Sequence, residues 1–186
     1  MSRRLRYQVA VSLDGYIARH DGSYDWIVMD PAIDFAAMYG EFDAAVMGRK
    51  TYDTVKGHDH MAMMKGIACV VFSRTEPPRE QPGLRVTAED PASVVRAMKA
   101  QPGRDIWLYG GGELFRTLLA ADLVDTVELA VIPVLLGTGV PLLPPGAETS
   151  LELCDSRVLP SGIVALAYRV PGGEGPPPSV FYVKTV

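Results

Sequence analysis

The segment Trp107-Leu108-Tyr109-Gly110-Gly111-Gly112-Glu113-Leu114-Phe115 places three consecutive glycines between two apolar runs. The run that begins at Asp105 predicts a buried strand, and residues 113–120 predict a helix. Backbone N–H groups at such a strand–turn–helix junction can bind an anion, for example a pyrophosphate. A turn that only packs the helix against the sheet has the same sequence, so the glycines alone leave both interpretations open.

Two other apolar runs are followed directly by glycine, hydroxyl and cationic residues. After the run at 44–47 come Gly48, Arg49, Lys50 and Thr51, and after the run at 70–72 come Ser73 and Arg74. Cations at the start of a helix are unfavourable unless an anion joins them. Three such strand ends predict one extended, phosphate-bearing ligand along the carboxyl edge of an α/β sheet, where nucleotides bind.

The order and spacing of these motifs resemble the dihydrofolate reductase-like superfamily. The similarity is greatest to its bacterial branch, which is related to the reductase domain of riboflavin biosynthesis. The segments that carry the resemblance are Val9–Ala18, Trp26, Met47–Tyr52, Phe72–Arg74, Gly110–Gly112 and Leu136–Pro144. Together they extend over most of the chain, from Tyr7 to Val170.

The resemblance implies an α/β fold with a mixed, mostly parallel central sheet flanked by helices and with antiparallel C-terminal strands. The hydrophobic pattern agrees with this fold. It predicts strands at 6–12, 44–47, 67–72, 105–109 and 126–132, and helices beginning at Asp30-Pro31, Lys50, Asp90-Pro91 and Glu113. Further strands are predicted at 151–153, 163–170 and 180–183, with a loop at 171–178. We expect one domain, residues 1–186.

The resemblance also implies NADPH as the cofactor and assigns residues to its parts. The backbone at Ala10 and Ile17 would hold the nicotinamide carboxamide. Phosphate-binding positions would be Gly48, Arg49, Thr51, Gly110, Gly111 and Gly112, with Ser73 and Arg74 near the adenosine ribose. An arginine at a 2′-phosphate would select NADPH over NADH. Asp14 and Gly15 either begin a loop that covers the nicotinamide or form a simple turn.

The implied reaction is hydride transfer to a flat heterocycle such as a pterin or a pyrimidine. Trp26, Met38 and Tyr109 are expected in the substrate pocket. Asp34 and Asp30 are the candidate catalytic acids. Asp30 is also a candidate helix N-cap, whereas Asp34 shows no obvious capping role.

Two other classes of protein need to be weighed. The alternative to a reductase is a non-catalytic nucleotide-binding protein of the same fold. A phosphotransferase is not supported, because the chain contains no G-x-x-x-x-G-K-[ST] loop.

The composition limits the partners. Lys and Arg number 18 against 22 Asp and Glu, so there is no basic excess for binding nucleic acid or an anionic membrane. Cys69 and Cys154 form no disulfide framework and no CxxC motif. No long apolar segment predicts a signal peptide or membrane span, which leaves a cytoplasmic location as the expectation.

Two features remain. His58-Asp59-His60 is a weak metal motif; a mobile, methionine-rich loop rimming the substrate pocket is the preferred interpretation, and no metal is expected. The apolar C-terminal strands and residues 135–143 offer more hydrophobic surface than one sheet edge hides, which predicts a homodimer with isologous symmetry.

Overall fold

A computed structural model describes residues 3–56, 64–146 and 148–175. Its strands are β1 (Leu5–Ser12), β2 (Tyr16–Ala18), β3 (Phe42–Gly48), β4 (Ala68–Phe72), β5 (Arg79–Gln81), β6 (Leu84–Thr87), β7 (Asp105–Gly110), β8 (Thr126–Ile132), β9 (Val140–Pro141), β10 (Glu152–Val158) and β11 (Val164–Arg169). Its helices are α1 (Phe35–Gly40), α2 (Arg49–Val55), α3 (Pro91–Lys99) and α4 (Gly112–Leu119). The predicted strand at 180–183 lies outside the described residues, as does part of the predicted loop at 171–178.

Nine of these strands form one sheet in the order β10-β11-β8-β1-β7-β3-β4-β6-β5, and β2 pairs with β9. The six central strands, β8, β1, β7, β3, β4 and β6, are parallel to one another. The pairs β11–β8, β10–β11 and β5–β6 are antiparallel. The predicted fold class is therefore confirmed, including the antiparallel C-terminal strands.

Each face of the sheet is covered by its own hydrophobic cluster. Along β7, Trp107 belongs to the cluster that includes residues of α1 and α2, and Tyr109 packs against it. Ile106 and Leu108 belong to the opposite cluster, with residues of α3 and α4. This alternation follows from the period of two of a β-strand, and it places Tyr109 on the α1–α2 face.

The two candidate caps of the first helix are exchanged relative to the prediction. The helix begins at Phe35 rather than at Pro31, and the side chain of Asp34 accepts a hydrogen bond from Ala37 N–H at 3.1 Å. Asp30 is not a helix cap, because its carboxylate accepts from Ala32 N–H at 2.8 Å and from Ser161 N–H at 3.0 Å. Asp30, which the local pattern predicted as the helix cap, instead binds the backbone of Ser161, a residue distant in sequence.

The third helix begins as predicted. Asp90 is its N-cap and accepts from Ser93 N–H at 2.9 Å, with Pro91 in the first turn. No helix in the described part of the chain is long and apolar enough to cross a membrane.

A buried ion pair fixes β1 in the sheet. The Arg6 guanidinium donates two hydrogen bonds of 2.8 Å to the two carboxylate oxygens of Glu128 on β8, and Thr126 Oγ1 donates to the same carboxylate at 2.8 Å. Arg6 is 1% and Glu128 0% exposed, so each charge is compensated where water cannot reach it. The pair holds the N-terminal half of β1, whereas the other half of the strand leads to the candidate site.

Candidate active site at the carboxyl edge of the sheet

The three glycine and hydroxyl segments lie along a single edge of the sheet. Because β1, β7, β3 and β4 are adjacent and parallel, their carboxyl ends meet there in that order. The glycine turn after β7 therefore lies between the end of β1 and the Gly48-Arg49 junction after β3. Ser73 and Arg74 follow at the next strand. This arrangement can accommodate one ligand that extends over several strand ends.

A gap opens between β1 and β7 at this edge. The two strands are paired only from Leu5↔Ile106 to Tyr7↔Leu108. The Arg4 carbonyl accepts from Ile106 N–H at 2.7 Å and the Gln8 carbonyl from Trp107 Nε1 at 3.1 Å, so even-numbered residues of β1 direct their backbone toward β7. Ala10 has the same direction by alternation but lies beyond the last pair. Its N–H and C=O consequently face the gap.

The glycine turn borders this gap, and its residues have different surroundings. Gly110, joined to Gly111 by a cis peptide bond, has φ +140°. Gly111 is the N-cap of α4 with φ −92°, and a Cβ added there would lie 3.2 Å from Thr51 Oγ1. A Cβ on Gly112 would lie 2.8 Å from the Pro141 carbonyl oxygen. Gly112 thus packs against the 141–144 segment, and only its backbone is left for a ligand, whereas Gly111 faces Thr51.

The predicted cations differ in their partners. Arg49 forms an ion pair with Asp53 at 2.7 Å, one helical turn away, so intrahelical pairing accounts for part of its charge. Lys56 also pairs with Asp53 and is the main cause of the lowered pKa of that carboxylate. Arg74 is exposed and has no hydrogen bond or ion pair within the described ranges. Arg74 is therefore the better placed of the two to meet a phosphate.

Ser73 is buried rather than open to a ribose. Its Oγ accepts from Glu76 N–H at 2.9 Å and from Thr75 N–H at 3.3 Å, which shapes the turn after β4. Both contacts use the oxygen as acceptor, so the hydroxyl proton is left for another group.

The loop after β1 is fastened to the 134–137 segment through Asp14. The Asp14 carboxylate accepts from Ser12 Oγ–H at 2.6 Å, from Leu136 N–H at 3.1 Å and from Gly137 N–H at 2.6 Å. The hydrogen bond from Ser12, with the two backbone donors, lowers the pKa of Asp14. The loop then turns at Gly15, with φ +87°, and leads into β2, which contains Ile17. This anchoring holds the loop beside the open end of β1.

The expected substrate-pocket residues share one face of the sheet. Trp26 (8% exposed) and Met38 (5%) belong to the α1–α2 cluster, and Tyr109 packs against it. The Trp26 Nε1–H is buried and has no hydrogen-bond partner among the described residues. Aromatic contacts run from α1 to the end of β7, with centroid distances of 6.2 Å for Phe35–Tyr39, 5.5 Å for Tyr39–Trp107 and 4.7 Å for Trp107–Tyr109.

Two cavities lie on the α1–α2 face of the sheet. One of about 810 Å³ is lined by the 21–29 loop, including Tyr24, and by Asp53 and Thr54 of α2. The other, of about 480 Å³, is lined by Phe35 and Tyr39 of α1 together with the 65–67 segment and Arg104, and it lies at the amino ends of β3, β4 and β7, away from the carboxyl edge. Both volumes are in the range of small-molecule pockets.

The two candidate acids have structural partners. Asp30 is 1% exposed, and its hydrogen bonds, with Ser161 as the largest contribution, lower the pKa of its carboxyl group. Both oxygens of Asp30 accept from backbone N–H groups, and an asparagine here would place its own N–H against one of them. The Asp30 carboxylate therefore has a structural role. Asp34 is half-buried and uses Oδ1 as the cap of α1. Capping does not exclude a second role for Asp34, because its other oxygen is not used in the cap.

The described residues contain no group of three or more His, Cys, Asp and Glu side chains placed to hold a metal ion. His58, Asp59 and His60 lie outside the described residues, so the structure does not bear on that motif.

Comparison with known proteins identifies the family. The model of the RibD C-terminal domain family matches residues 3–165. The chain belongs to the RibD C-terminal domain family. The uncharacterized protein YyaP of Bacillus subtilis (strain 168) is 32% identical over 179 residues, 90% of this chain and 95% of YyaP. The uncharacterized protein YwjB of the same organism is 32% identical over 145 residues, 76% of this chain and 83% of YwjB.

Solved structures agree with this family and with the superfamily resemblance drawn from the sequence. A Shewanella sp. PV-4 protein named for riboflavin biosynthesis superimposes with a TM-score of 0.74 at 25% identity, covering 91% of this chain and 99% of that one. The Thermotoga maritima diaminohydroxyphosphoribosylaminopyrimidine deaminase/5-amino-6-(5-phosphoribosylamino)uracil reductase superimposes with a TM-score of 0.69 at 16% identity, covering 91% of this chain and 57% of that one. The second match shows the fold alone.

Sequence reasoning missed part of the site in this RibD C-terminal domain. Tyr24 lines the larger cavity but carries no motif. The spacing of Phe35 and Tyr39, four residues apart on one helix, is the only sequence signal for the aromatic contacts that continue to Tyr109.

Proposed function

We propose that this RibD C-terminal domain is an NADPH-dependent reductase that transfers a hydride to a flat heterocycle: a pterin, a pyrimidine or a related ring. The observation that carries the proposal is the end of the β1–β7 pairing at Tyr7↔Leu108, which leaves Ala10 without a partner on β7 beside the glycine turn. A carboxamide has one donor and one acceptor group, which match the N–H and C=O of one backbone residue. The family membership and the name of the Thermotoga reductase support reduction of a pyrimidine.

The proposed cofactor site uses the residues of the carboxyl edge. Ala10 and Ile17 hold the carboxamide through backbone groups, while Gly48, Thr51 and Arg49 lie at phosphates with the Gly110–Gly112 turn. Arg74 lies at the adenosine ribose, and the buried Ser73 shapes the turn that carries it. The bound nicotinamide supplies the hydride, and the loop anchored by Asp14 limits the access of water to it.

Arg74 gives a test of cofactor selectivity. We expect wild type to bind NADPH about tenfold to a hundredfold more tightly than NADH, since a charge-assisted contact to the 2′-phosphate is worth about 1.5–3 kcal/mol. Arg74→Gln removes this contact and should bring the two dissociation constants together. Calorimetric titration of both variants with both nucleotides measures the effect.

A matched control is Arg85→Gln, because Arg85 is a partly exposed arginine that pairs with Glu89. This variant should keep the wild-type preference. Equal affinities of wild type for NADPH and NADH would remove the 2′-phosphate assignment.

The alternative function is nucleotide binding without catalysis. It is favoured by one observation: both candidate acids have structural hydrogen bonds, so a dedicated proton donor is not apparent in the described residues. Oxidation of bound NADPH by a pyrimidine or pterin substrate separates the two functions. Stoichiometric binding with no oxidation by either ring class supports the alternative.

We further propose that the protein is a cytoplasmic homodimer. The free thiols of Cys69 and Cys154 suit a reducing compartment. Edge strand β10 is exposed along its length, and its region presents Leu151 (40% exposed), Leu153 (54%) and Val158 (76%). A twofold contact at this edge would cover these side chains.

We expect light scattering at micromolar concentration to give twice the chain mass of 20.1 kDa. Leu153→Lys should shift the protein to the monomer, since it places a charge in the apolar contact. Thr117→Lys on α4, an exposed site on another element, is the control and should leave the dimer intact. A wild-type protein that scatters as a monomer contradicts the proposal.

A further inference from the structure

The smaller cavity, of about 480 Å³, lies at the edge of the sheet opposite the candidate active site, and the proposed function gives it no role. Phe35 and Tyr39 of α1 line it with half-buried rings. Phe42 and Ile67, which also line it, are 0% and 7% exposed. The cavity therefore offers a ligand an aromatic and aliphatic surface, at a volume typical of small-molecule sites.

Two cations flank this apolar surface. Arg104 directly precedes β7 and Lys65 lies shortly before β4, and these two strands are the neighbours of β3 on either side. Both residues line the cavity, and its lining includes no carboxylate. Most arginines and lysines in the described part of the chain form ion pairs, but Lys65 and Arg104 form none there. The cavity is therefore a local positive site on a protein whose net charge is −4.

Arg104 is held in place beside the cavity. Its backbone N–H donates to Asp43 Oδ2 at 2.8 Å, and its backbone carbonyl accepts from Arg3 Nε at 2.6 Å. Its guanidinium donates through Nη1 to the Gly40 carbonyl at 2.9 Å, and its other N–H groups have no partner among the described residues. Asp43, the nearby carboxylate, is itself paired with Arg3. An anionic ligand would meet an arginine that is already oriented, which lowers the entropy cost of binding.

Gly40 leaves open space in the wall of the cavity. It is the last residue of α1, and its φ is not among the positive values of the chain, so the backbone does not require glycine there. A Cβ at this position would meet no atom within 4 Å. Since alanine favours a helix more than glycine does, the stability of α1 does not explain the missing side chain. Room for a ligand does.

We propose that this cavity is a second ligand site, which binds a planar aromatic molecule carrying a phosphate group. The ring would pack on Phe35 and Tyr39, and the phosphate would lie between Lys65 and Arg104. A phosphate suits two cations better than a carboxylate does, because it carries up to two negative charges and three acceptor oxygens. The proposal does not rest on the proposed function, since the cofactor residues lie at the other edge of the sheet.

Calorimetric titration with 1-naphthyl phosphate tests the site. We expect wild type to bind this probe with a submillimolar dissociation constant. Binding should be at least about tenfold tighter than that of 1-naphthol, which lacks the phosphate, or of inorganic phosphate, which lacks the ring. Saturating NADPH should leave the affinity for the probe unchanged, because the two sites are separate.

Two variants locate the bound probe. Arg104→Gln should weaken binding about tenfold, since it removes a charge-assisted contact. Gly40→Leu should weaken it at least as much, because the added side chain takes up space in the cavity. A thermal transition recorded for each variant shows that it is folded, and Arg104→Gln alone carries the test if Gly40→Leu does not fold.

The matched control is Arg96→Gln. Arg96 is also an exposed arginine without an ion pair in the described chain, but it lies on α3, which packs on the opposite face of the sheet. This variant should bind the probe as wild type does. No binding by wild type, wild-type affinity in a folded Arg104→Gln or Gly40→Leu protein, an equal loss in Arg96→Gln, or displacement of the probe by NADPH each overturns the inference. Failure of wild type to bind NADPH instead overturns the proposed function, and the variants still decide where the probe binds.

Discussion

Gly111→Ala should weaken NADPH binding by about a hundredfold or more while the protein remains folded. At φ −92° an alanine adopts the backbone conformation readily, and the added Cβ would lie 3.2 Å from Thr51 Oγ1, a side chain that can move by a few tenths of an ångström. The methyl group would occupy the surface where the pyrophosphate approaches the backbone. A hundredfold loss corresponds to about 2.7 kcal/mol. Calorimetric titration with NADPH measures it.

Gly40→Ala is the control for this substitution. A Cβ on Gly40, at the end of α1, would meet no atom within 4 Å. Both variants should keep a cooperative thermal transition, and only Gly111→Ala should lose NADPH. A folded Gly111→Ala protein with wild-type affinity would show that the glycines serve only to pack α4 on the sheet.

Asp34→Asn should lower the turnover number by about 10²–10⁴, the range for loss of an acid–base group, while NADPH binding is retained. The reason is that Asp34 is the half-buried acid at the start of α1, whose aromatic residues lead to Trp107 and Tyr109. The structure shows that Asp34 is the N-cap of α1, which determines how the substitution acts. Since Asn caps helices about as well as Asp, the change removes charge and leaves the cap of α1. Steady-state oxidation of NADPH by an accepted substrate measures the effect.

Asp90→Asn supplies a matched control, because Asp90 caps α3 in the same way and lies on a helix that packs on the other face of the sheet. This variant should turn over at the wild-type rate. If Asp34→Asn also turns over at the wild-type rate, the proton that the substrate receives comes from water or from another residue.

Long apolar runs predicted the central sheet well because burial on both faces determines their sequence. The strand predicted at 126–132 matches β8, and the predicted helix at 113–120 lies within one residue of α4. The short strands β5 and β6 were not predicted, since Arg79–Gln81 is polar and exposed and Leu84–Thr87 contains only two apolar residues. Their pairing depends on the neighbouring β4, which local sequence does not encode.

The sequence predicts those parts of the candidate site that have a characteristic residue type. It does not predict the parts that depend on contacts between distant segments. The carboxyl-edge positions of Arg49, Ser73 and the glycines follow from strand order. The Asp30–Ser161 hydrogen bond joins residues 131 positions apart. Local sequence therefore could not show that Asp30 is used in this contact and that Asp34 is the N-cap of the helix. The end of β1–β7 pairing at Tyr7 is likewise a property of the sheet as a whole.

The most direct test of the central claim, that the carboxyl edge binds NADPH, is a crystal structure of the protein with NADPH bound. It should show the nicotinamide carboxamide hydrogen-bonded to the backbone of Ala10 in the gap between β1 and β7. The pyrophosphate should lie over Gly111, and the 2′-phosphate should lie within hydrogen-bond distance of the Arg74 guanidinium. A nucleotide bound elsewhere on the protein, or crystals that take up none at saturating concentration, would contradict the account.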